Sequence, residues 1–435
     1  MTDTIMYERL DALVPSSANA RTHSPKQIRQ IAASIETFGF TNPVLIDGER
    51  RILAGHGRVA AARQLGLSEV PCRRIEHMTE AEKRAYVIAD NRIAENAGWD
   101  RDILAIELAA LADACLDFEL GVLGFDAGEI DLIIEEAEPD EGGDPADETL
   151  PKLAERKITR PGELWQLGPH RILCGDVRDE ATLEALMQGE RARMVFADPP
   201  YNVPVHGHVC GSGAIRHREF AMASGEMDAA GFTRFLQDAF GAFVRASVDG
   251  SIHYVCMDWR HMAEIHAAGQ GVYTELKNLI VWVKDNGGMG SFYRSRHELI
   301  FVFKAGRAPH VNSFGLGAGG RYRTNVWEYR GISSGGAGRL EQLALHPTVK
   351  PVAMIADAMR DCSERGDIVL DGFGGSGSTL IAAERTGRKA RLMEIDPVYV
   401  DRTIQRWQAV SHNGAVLVAT GETFDARSVA SGEAV

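Results

Sequence analysis

The residues of this chain best suited to chemistry are Asp198-Pro199-Pro200-Tyr201. They follow the apolar run Met194-Val195-Phe196-Ala197, which reads as a buried strand. Two successive prolines have no N–H for a sheet ladder, so the strand must end there in a stiff turn. A carboxylate stands before that turn and an aromatic ring after it. Asp198 and the Pro199 carbonyl can accept the two hydrogens of an exocyclic amine, Pro200 stiffens the turn, and Tyr201 can stack on a flat ring. The arrangement suits gripping an exocyclic amino group on a flat base. The same four residues would also serve as a plain Asp-Pro turn after a core strand.

A second segment, Asp367-Ile368-Val369-Leu370-Asp371-Gly372-Phe373-Gly374-Gly375-Ser376-Gly377-Ser378-Thr379, runs from a buried strand into a glycine-rich turn and then a helix. Glycines at such a turn let the backbone approach a ligand closely. The next strand, Ala390 to Met393, ends at Glu394, about 20 positions on, where an acidic residue suits a pair of ribose hydroxyls. The glycine spacing is not G-x-G-x-x-G and no GK[ST] follows, which disfavours dinucleotides and nucleoside triphosphates. Taken alone, the turn fits several phosphate- and nucleoside-binding enzymes. Asp176 ends a further strand, His170 to Gly175, and His346-Pro347-Thr348-Val349-Lys350-Pro351 opens a helix before the glycine turn. Each also suits a purely structural role, Asp176 as a turn residue and the His-Pro segment as a helix cap.

These residues need a sheet to hold them. The strands ending at Asp176 and Asp198 alternate with helices, which predicts a doubly wound α/β sheet. Ser251–Cys256 forms another strand. Asn278–Val283 and His297–Phe303 predict an antiparallel edge pair. The acidic stretch from Glu135 to Glu148 has eight acidic residues and no basic ones, and it reads as the core of a linker over 138–160. It separates an N-terminal unit, residues 1–137, from a C-terminal unit, 161–415, with a tail over 416–435 whose last segment, Glu422 to Val435, is small and polar and expected to fray.

The order of the motifs is diagnostic. Asp198-Pro-Pro-Tyr comes first, then a basic stretch, then His346-Pro-Thr-Val-Lys-Pro, then Phe373-Gly-Gly-Ser-Gly. This resembles the β-class permutation of DNA amino-methyltransferases, from about Gly162 to Gln408. The resemblance implies a Rossmann-like methyltransferase sheet, S-adenosylmethionine as cofactor, and methyl transfer to a base amine in double-stranded DNA. Asp198, Pro199, Pro200 and Tyr201 would then be catalytic. Asp371, Phe373, Gly375, Gly377, Ser378, Thr379 and Glu394 would hold the cofactor. Asp176 would lie near its adenine, while His346, Thr348 and Lys350 would border its methionine end, with the Thr hydroxyl and Lys ammonium on its carboxylate. Family usage of Asp-Pro-Pro-Tyr favours adenine N6, although the same grip fits cytosine N4. Target recognition would fall within 203–345, with Arg294, Arg296, Arg321 and Arg323 on phosphates or guanines. No metal and no covalent enzyme intermediate are needed. Relatives of this class are often dimers, so a homodimer is admitted.

The N-terminal unit opens with a loop, Leu13 to Pro25. Ser24 then caps a helix carrying Ile28, Ile31, Ala32, Ile35 and Phe38 at helical spacing. Strands follow at Pro43–Ile46 and Arg51–Ala54, and Gly55-His56-Gly57-Arg58 leads into another helix. From Leu13 to Glu95 these residues resemble the ParB/sulfiredoxin-like domain, a small α+β fold. In ParB proteins the corresponding glycine-containing, Arg-ending motif binds a nucleoside triphosphate. Here the acidic form of the motif is absent, which counts against hydrolysis and leaves Arg58 to bind phosphate. A docking or dimerisation domain is the alternative. No helix-turn-helix is apparent after it; residues 101–137 read as short amphipathic helices.

Composition bounds the rest. With 435 residues, 45% hydrophobic and 25% charged, the chain reads as two or three soluble domains. No apolar stretch reaches the roughly 18–20 residues of a membrane span, and Met1–Leu10 lacks a secretory pattern. Six scattered cysteines without a CxxC pair argue against zinc and disulfides and point to the cytoplasm. The formal charge of −14 is unevenly distributed, and Lys284–Arg339 has nine Lys/Arg against three Asp/Glu. A locally basic segment suits phosphate contact, or a solvated face. Two rival readings stand beside adenine or cytosine methylation. One is a ParB-like DNA-binding regulator with a non-catalytic methyltransferase domain, which the intact motifs oppose. The other is a small-molecule or RNA methyltransferase, which leaves the long basic insert unexplained.

Overall fold

The structure is a computed structural model that describes residues 5–17, 19–114, 116–118, 120–136, 151, 157–203, 225–284, 292–313, 323–329 and 349–430. The chain forms two compact units, Met1–Glu138 and Pro139–Val435.

In the first unit the elements run β1 (Met6–Arg9), α1 (Pro25–Phe38), β2 (Val44–Ile46), β3 (Ile52–Ala54), α2 (His56–Gln64), β4 (Glu69–Arg74), α3 (Glu80–Glu95), α4 (Arg101–Asp113) and α5 (Ala127–Glu136). Helix α1 starts as its sequence dictates. The Ser24 side chain accepts from the Gln27 N–H, Pro25 occupies the first turn, and Gly39 at φ 79° stops the helix. The sheet order is β1-β4-β2-β3, with β4 antiparallel to β1 and parallel to β2. Val44, Ile46, Ile52, Val59, Val70 and Cys72 form its core. A second small core joins α4 to α5 through Ala105, Leu108, Ile130 and Ile133.

The second unit is an α/β, Rossmann-like sheet. Its elements run β5 (Leu164–Leu167), β6 (His170–Cys174), α6 (Glu180–Met187), β7 (Ala192–Ala197), α7 (Ala229–Arg245), β8 (Ser247–Met257), α8 (Met262–Val272), β9 (Glu275–Val283), β10 (His297–Ala305), β11 (Val326–Glu328), α9 (Val352–Cys362), β12 (Ile368–Asp371), α10 (Ser378–Thr386), β13 (Lys389–Glu394), α11 (Pro397–Ser411), β14 (Val416–Leu417) and α12 (Phe424–Ala430). Ten strands order as β11-β9-β10-β8-β7-β12-β13-β6-β5-β14. The central block β8, β7, β12, β13, β6 is parallel. Strand β10 runs antiparallel to both β8 and β9, so the expected edge pair is present. Buried side chains cover both faces of the sheet, Met194, Phe196 and Ile355 in one cluster and Val195, Phe240 and Phe243 in the other. Burial on both faces explains why the central strands read as continuous apolar runs.

The expectation of a frayed segment from Glu422 is corrected for its described part, where Phe424–Ala430 is helical. Val416 and Leu417 pair with Gln166 and Trp165 of β5, and the Phe424 ring meets Trp165 edge-on at 5.4 Å. A buried Phe and a paired edge strand give this segment its own reason to dock. Most of the 138–160 segment lies outside the described residues.

Candidate functional site

Parallel strands deliver their C-terminal ends to one edge of the sheet. There β6 is followed by Asp176, β7 by Asp198 and β8 by Asp258, while β12 and β13 finish on Asp371 and Glu394. Strand β9 runs in the same direction and is followed by Lys284. Strand β10 returns from that edge and carries Glu298 in its second position, opposite Trp282. Chain order proceeds one way from β7 to β8 and the other way from β12 to β13. The neighbours β7 and β12 therefore flank a topological switch point, where loops diverge and leave a crevice. A cavity of ≈ 190 Å³ opens there, lined by the Asp198–Tyr201 turn, by Asp371–Ser376 and by Glu394.

The glycine turn and its two carboxylates form one half. Asp371 is buried; its Oδ1 accepts from the Phe373 N–H at 2.9 Å and its Oδ2 from the Thr379 hydroxyl at 2.6 Å. Burial pushes its carboxyl up to about 7. Glu394 Oε2 accepts from the Gly375 N–H at 2.9 Å, and Oε1 from the Asp396 N–H at 2.9 Å. Burial raises this carboxyl as well. Asp371 carries one protein donor on each oxygen and Glu394 backbone donors from Gly375, Asp396 and Ile395, and the remaining lone pairs can accept from ligand hydroxyls or amines. Ser378 and Thr379 also line the cavity. Gly377 serves the backbone instead. At φ 80° it turns the chain into α10, and a Cβ there would lie 2.7 Å from Thr403 Cγ2. Asp176 lines the cavity and forms a fork with Arg178, at 2.6 Å for the closest pair. Burial opposes its charge, and Arg178 outweighs burial and lowers the carboxyl.

Asp198 forms the other half. The Tyr201 hydroxyl lies 2.8 Å from its Oδ1, and Lys350 Nζ lies 2.5 Å from its Oδ2. Both donors also reach Glu298 Oε2, Tyr201 at 3.0 Å and Lys350 at 3.3 Å. Lys284 closes the cluster on Glu298 Oε1. Burial raises the Asp198 carboxyl against the pull of Lys350. Burial works against the charge of Glu298 too, but Lys350 and Lys284 outweigh it and hold that carboxyl at about 2. Two acids and two lysines thus balance one another, with Lys350 buried and the other three half-buried.

Lys350, read as a partner for a ligand carboxylate, lines the same cavity and is buried between Asp198 and Glu298. One expectation is corrected. Arg323, read as a DNA contact, faces inward. Its Nη1 donates to Asp357 at 2.9 Å and to the Tyr329 hydroxyl at 2.8 Å, and its guanidinium stacks over Trp327 at 4.6 Å. Its Nε also lies 3.3 Å from Asp361, and an arginine drawn into two acids and a ring has little left for phosphate. Arg294 and Arg296 are exposed, next to Phe292 and Tyr293, which are 85% and 81% exposed. His346, Thr348 and Arg321 lie outside the described residues. Sequence reasoning missed Glu298 and Lys284. The available signal was an isolated acid at a strand start within a basic segment.

In the first unit Gly55 adopts φ 103° before α2, with no side-chain cap on that helix. Arg58 is half-buried beside a cavity of ≈ 450 Å³ that it shares with Gln27, Gln30, Ser34 and Asn42. His56 Nε2 accepts from the Ser16 N–H at 3.3 Å, and burial together with His23 lowers its pKa. Gly57 packs against His23, where a Cβ would lie 3.0 Å from its ring. Among the described residues no helix is long and apolar enough to cross a membrane, and no cluster of His, Cys, Asp or Glu could hold a metal ion.

Three family models match the chain. Residues 2–92 match the ParB N-terminal domain, 102–161 the ParB-methyltransferase HTH domain, and 192–406 the DNA methylase family. The middle match corrects the expectation that no helix-turn-helix follows the ParB-like domain. The ParB-like nuclease domain-containing protein YnaK of Escherichia coli (strain K12) is 48% identical over 80 residues, which are 18% of this chain and 92% of that protein. The type II methyltransferase M.ScaI of Streptomyces caespitosus is 32% identical over 90 residues, 21% of this chain and 30% of that enzyme. The crystal structure of the M1.HpyAVI–SAM complex aligns with 54% of this chain and 98% of its own, at 16% identity and a TM-score of 0.38. On these three matches the chain belongs to the DNA methyltransferases of the N6/N4 class that carry a ParB-like N-terminal domain.

Proposed function

We propose that this protein methylates the N6 amine of adenine in double-stranded DNA, with S-adenosylmethionine as the methyl donor. One observation carries the reading: the Asp198–Tyr201 turn and the Asp371–Glu394 carboxylates line a single cavity. The lining fits the donor. Glu394 and Asp371 retain lone pairs for ribose hydroxyls, Asp176 has an oxygen near the same wall, and the glycine turn lets a ligand approach the backbone. When bound, the donor supplies an electrophilic methyl group.

The rest is positioning by the chain's own residues. An adenine must leave the base stack to enter a cavity of this kind. Asp198 and the Pro199 carbonyl receive its amine, Pro200 keeps their turn rigid, and Tyr201 lends its ring. Burial has raised Asp198, which makes it the better acceptor for the proton that the methylated amine must lose. The contribution expected of these groups is orientation and fixed charge. Arg294 and Arg296 would meet the DNA backbone or a guanine. Asp198→Asn keeps the shape and loses the charged acceptor; methyl incorporation into DNA should fall by at least about 100-fold, with cofactor affinity by calorimetry nearly unchanged. Undiminished turnover would sink the assignment of Asp198.

The same grip accepts the N4 amine of cytosine, so the base is decided by sequencing. Plasmid DNA from a methylation-free host expressing the protein should carry N6-methyladenine at one short motif. N4-methylcytosine there would move the reading to the other amine. In the first unit the ≈ 450 Å³ cavity beside Arg58 suits a nucleotide phosphate. Arg58→Ala should abolish nucleotide binding to that unit, measured by calorimetry with a nucleoside triphosphate.

A further inference from the structure

Both oxygens of Asp198 are engaged, one by the Tyr201 hydroxyl and one by Lys350. Each oxygen keeps one lone pair, so a substrate amine arriving at Asp198 must share either oxygen with a donor already seated on it. A phenolic hydroxyl has one hydrogen and can serve one carboxylate at a time. Tyr201 stands between two such acceptors, Asp198 Oδ1 at 2.8 Å and Glu298 Oε2 at 3.0 Å. The two distances are nearly equal, so turning the O–H bond is enough to change partner, with the ring left in place.

We infer that Glu298 is a positioning residue that takes over the Tyr201 hydroxyl when the substrate amine docks on Asp198. The inference rests on the reading that Asp198 receives the amine. Several features suit Glu298 to this role. It is brought to the same sheet edge by β10, a strand that contributes none of the recognised motifs. Lys284 and Lys350 flank it and keep it ionised, so it is always a charged acceptor. Lys350 touches both carboxylates and can lean towards either as the hydrogen bond moves. The exchange relocates one O–H hydrogen bond and leaves the charge balance of two acids and two lysines unaltered. Asp198 Oδ1 then offers both of its lone pairs to the amine without a competing donor, and Tyr201 stays held for stacking.

A double-mutant cycle tests this in the full-length protein. Single-turnover methylation of DNA and cofactor affinity are measured for wild type, Glu298→Gln, Tyr201→Phe and the pair. Glu298→Gln should slow methylation by about 10- to 100-fold, the worth of one charged hydrogen bond, with cofactor affinity held within about twofold. With Tyr201→Phe there is no hydroxyl to relocate, and Glu298→Gln should then cost less than about threefold. Equal cost in both backgrounds would overturn the inference and reduce Glu298 to a counter-ion for the lysines. Should Glu298→Gln fail to fold, Glu298→Asp keeps the charge and withdraws the oxygen, and the same suppression by Tyr201→Phe is expected. A wild-type protein that methylates no DNA would remove the underlying reading itself, an outcome distinct from a failed cycle.

Discussion

Asp371 shows how one residue's environment becomes a measurable property of the molecule. Its carboxyl is raised by burial to about 7, well above the ordinary 3.8. A raised carboxyl favours the folded state only while protonated. Its stabilisation is complete below about pH 4 and disappears as the pH climbs through about 7. Denaturant titrations should therefore show wild type losing on the order of a few kcal/mol relative to Asp371→Asn between pH 4 and 7.5. Parallel stability curves would contradict this. Arg323 makes the opposite kind of prediction, since it is the shared cation of Asp357 and the buried Asp361. Arg323→Ala should cost about 3 kcal/mol or more in a urea melt. At this scale the sequence was legible where type and order carried meaning: Asp198, Asp371 and Glu394 all line one cavity. Arg323 was not legible, because a basic run does not disclose which of its members a fold turns inward. Glu298 was hidden for the same reason, its partners Lys350 and Tyr201 lying 52 and 97 positions away.

Among the elements, the glycine turn separates two uses of one residue type. Gly377 sits at φ 80° against Thr403, while a Cβ on Gly375, at φ 52°, would meet only the Phe373 carbonyl, at 3.7 Å. Gly377→Ala should thus combine backbone strain with a clash and cost about 2–4 kcal/mol, and Gly375→Ala should cost about 1 kcal/mol of strain alone. Thermal melts of the two variants check the difference. The parallel strands of this sheet were readable as apolar runs ending in functional turns. Strand β4 was not, because Pro71 interrupts its pattern although Val70 and Cys72 are fully buried on either side of it. Strand β1 pairs with β4 and shows exposed and half-buried residues by turns, too short a signal to stand alone.

The whole molecule divides at an acidic stretch visible in the sequence, and each unit has a core of its own. Fragments 1–138 and 139–435 should each unfold cooperatively when expressed separately, by calorimetry. A fragment that melts without a transition would show that its core depends on the other. The unfavourable net charge of −14 did not obscure the function, since distribution rather than total governs encounter with DNA.

The root of the β9–β10 hairpin has an engineering consequence. Lys284 and Glu298 sit at its two ends, and the Arg296 side chain is tied back to the Lys284 carbonyl at 2.7 Å. A chimaera that imports foreign sequence between β9 and β10 must therefore carry its junctions between these two residues. Junctions placed further out along either strand would replace Lys284 or Glu298, and with it half of the ion pair that joins the two strands.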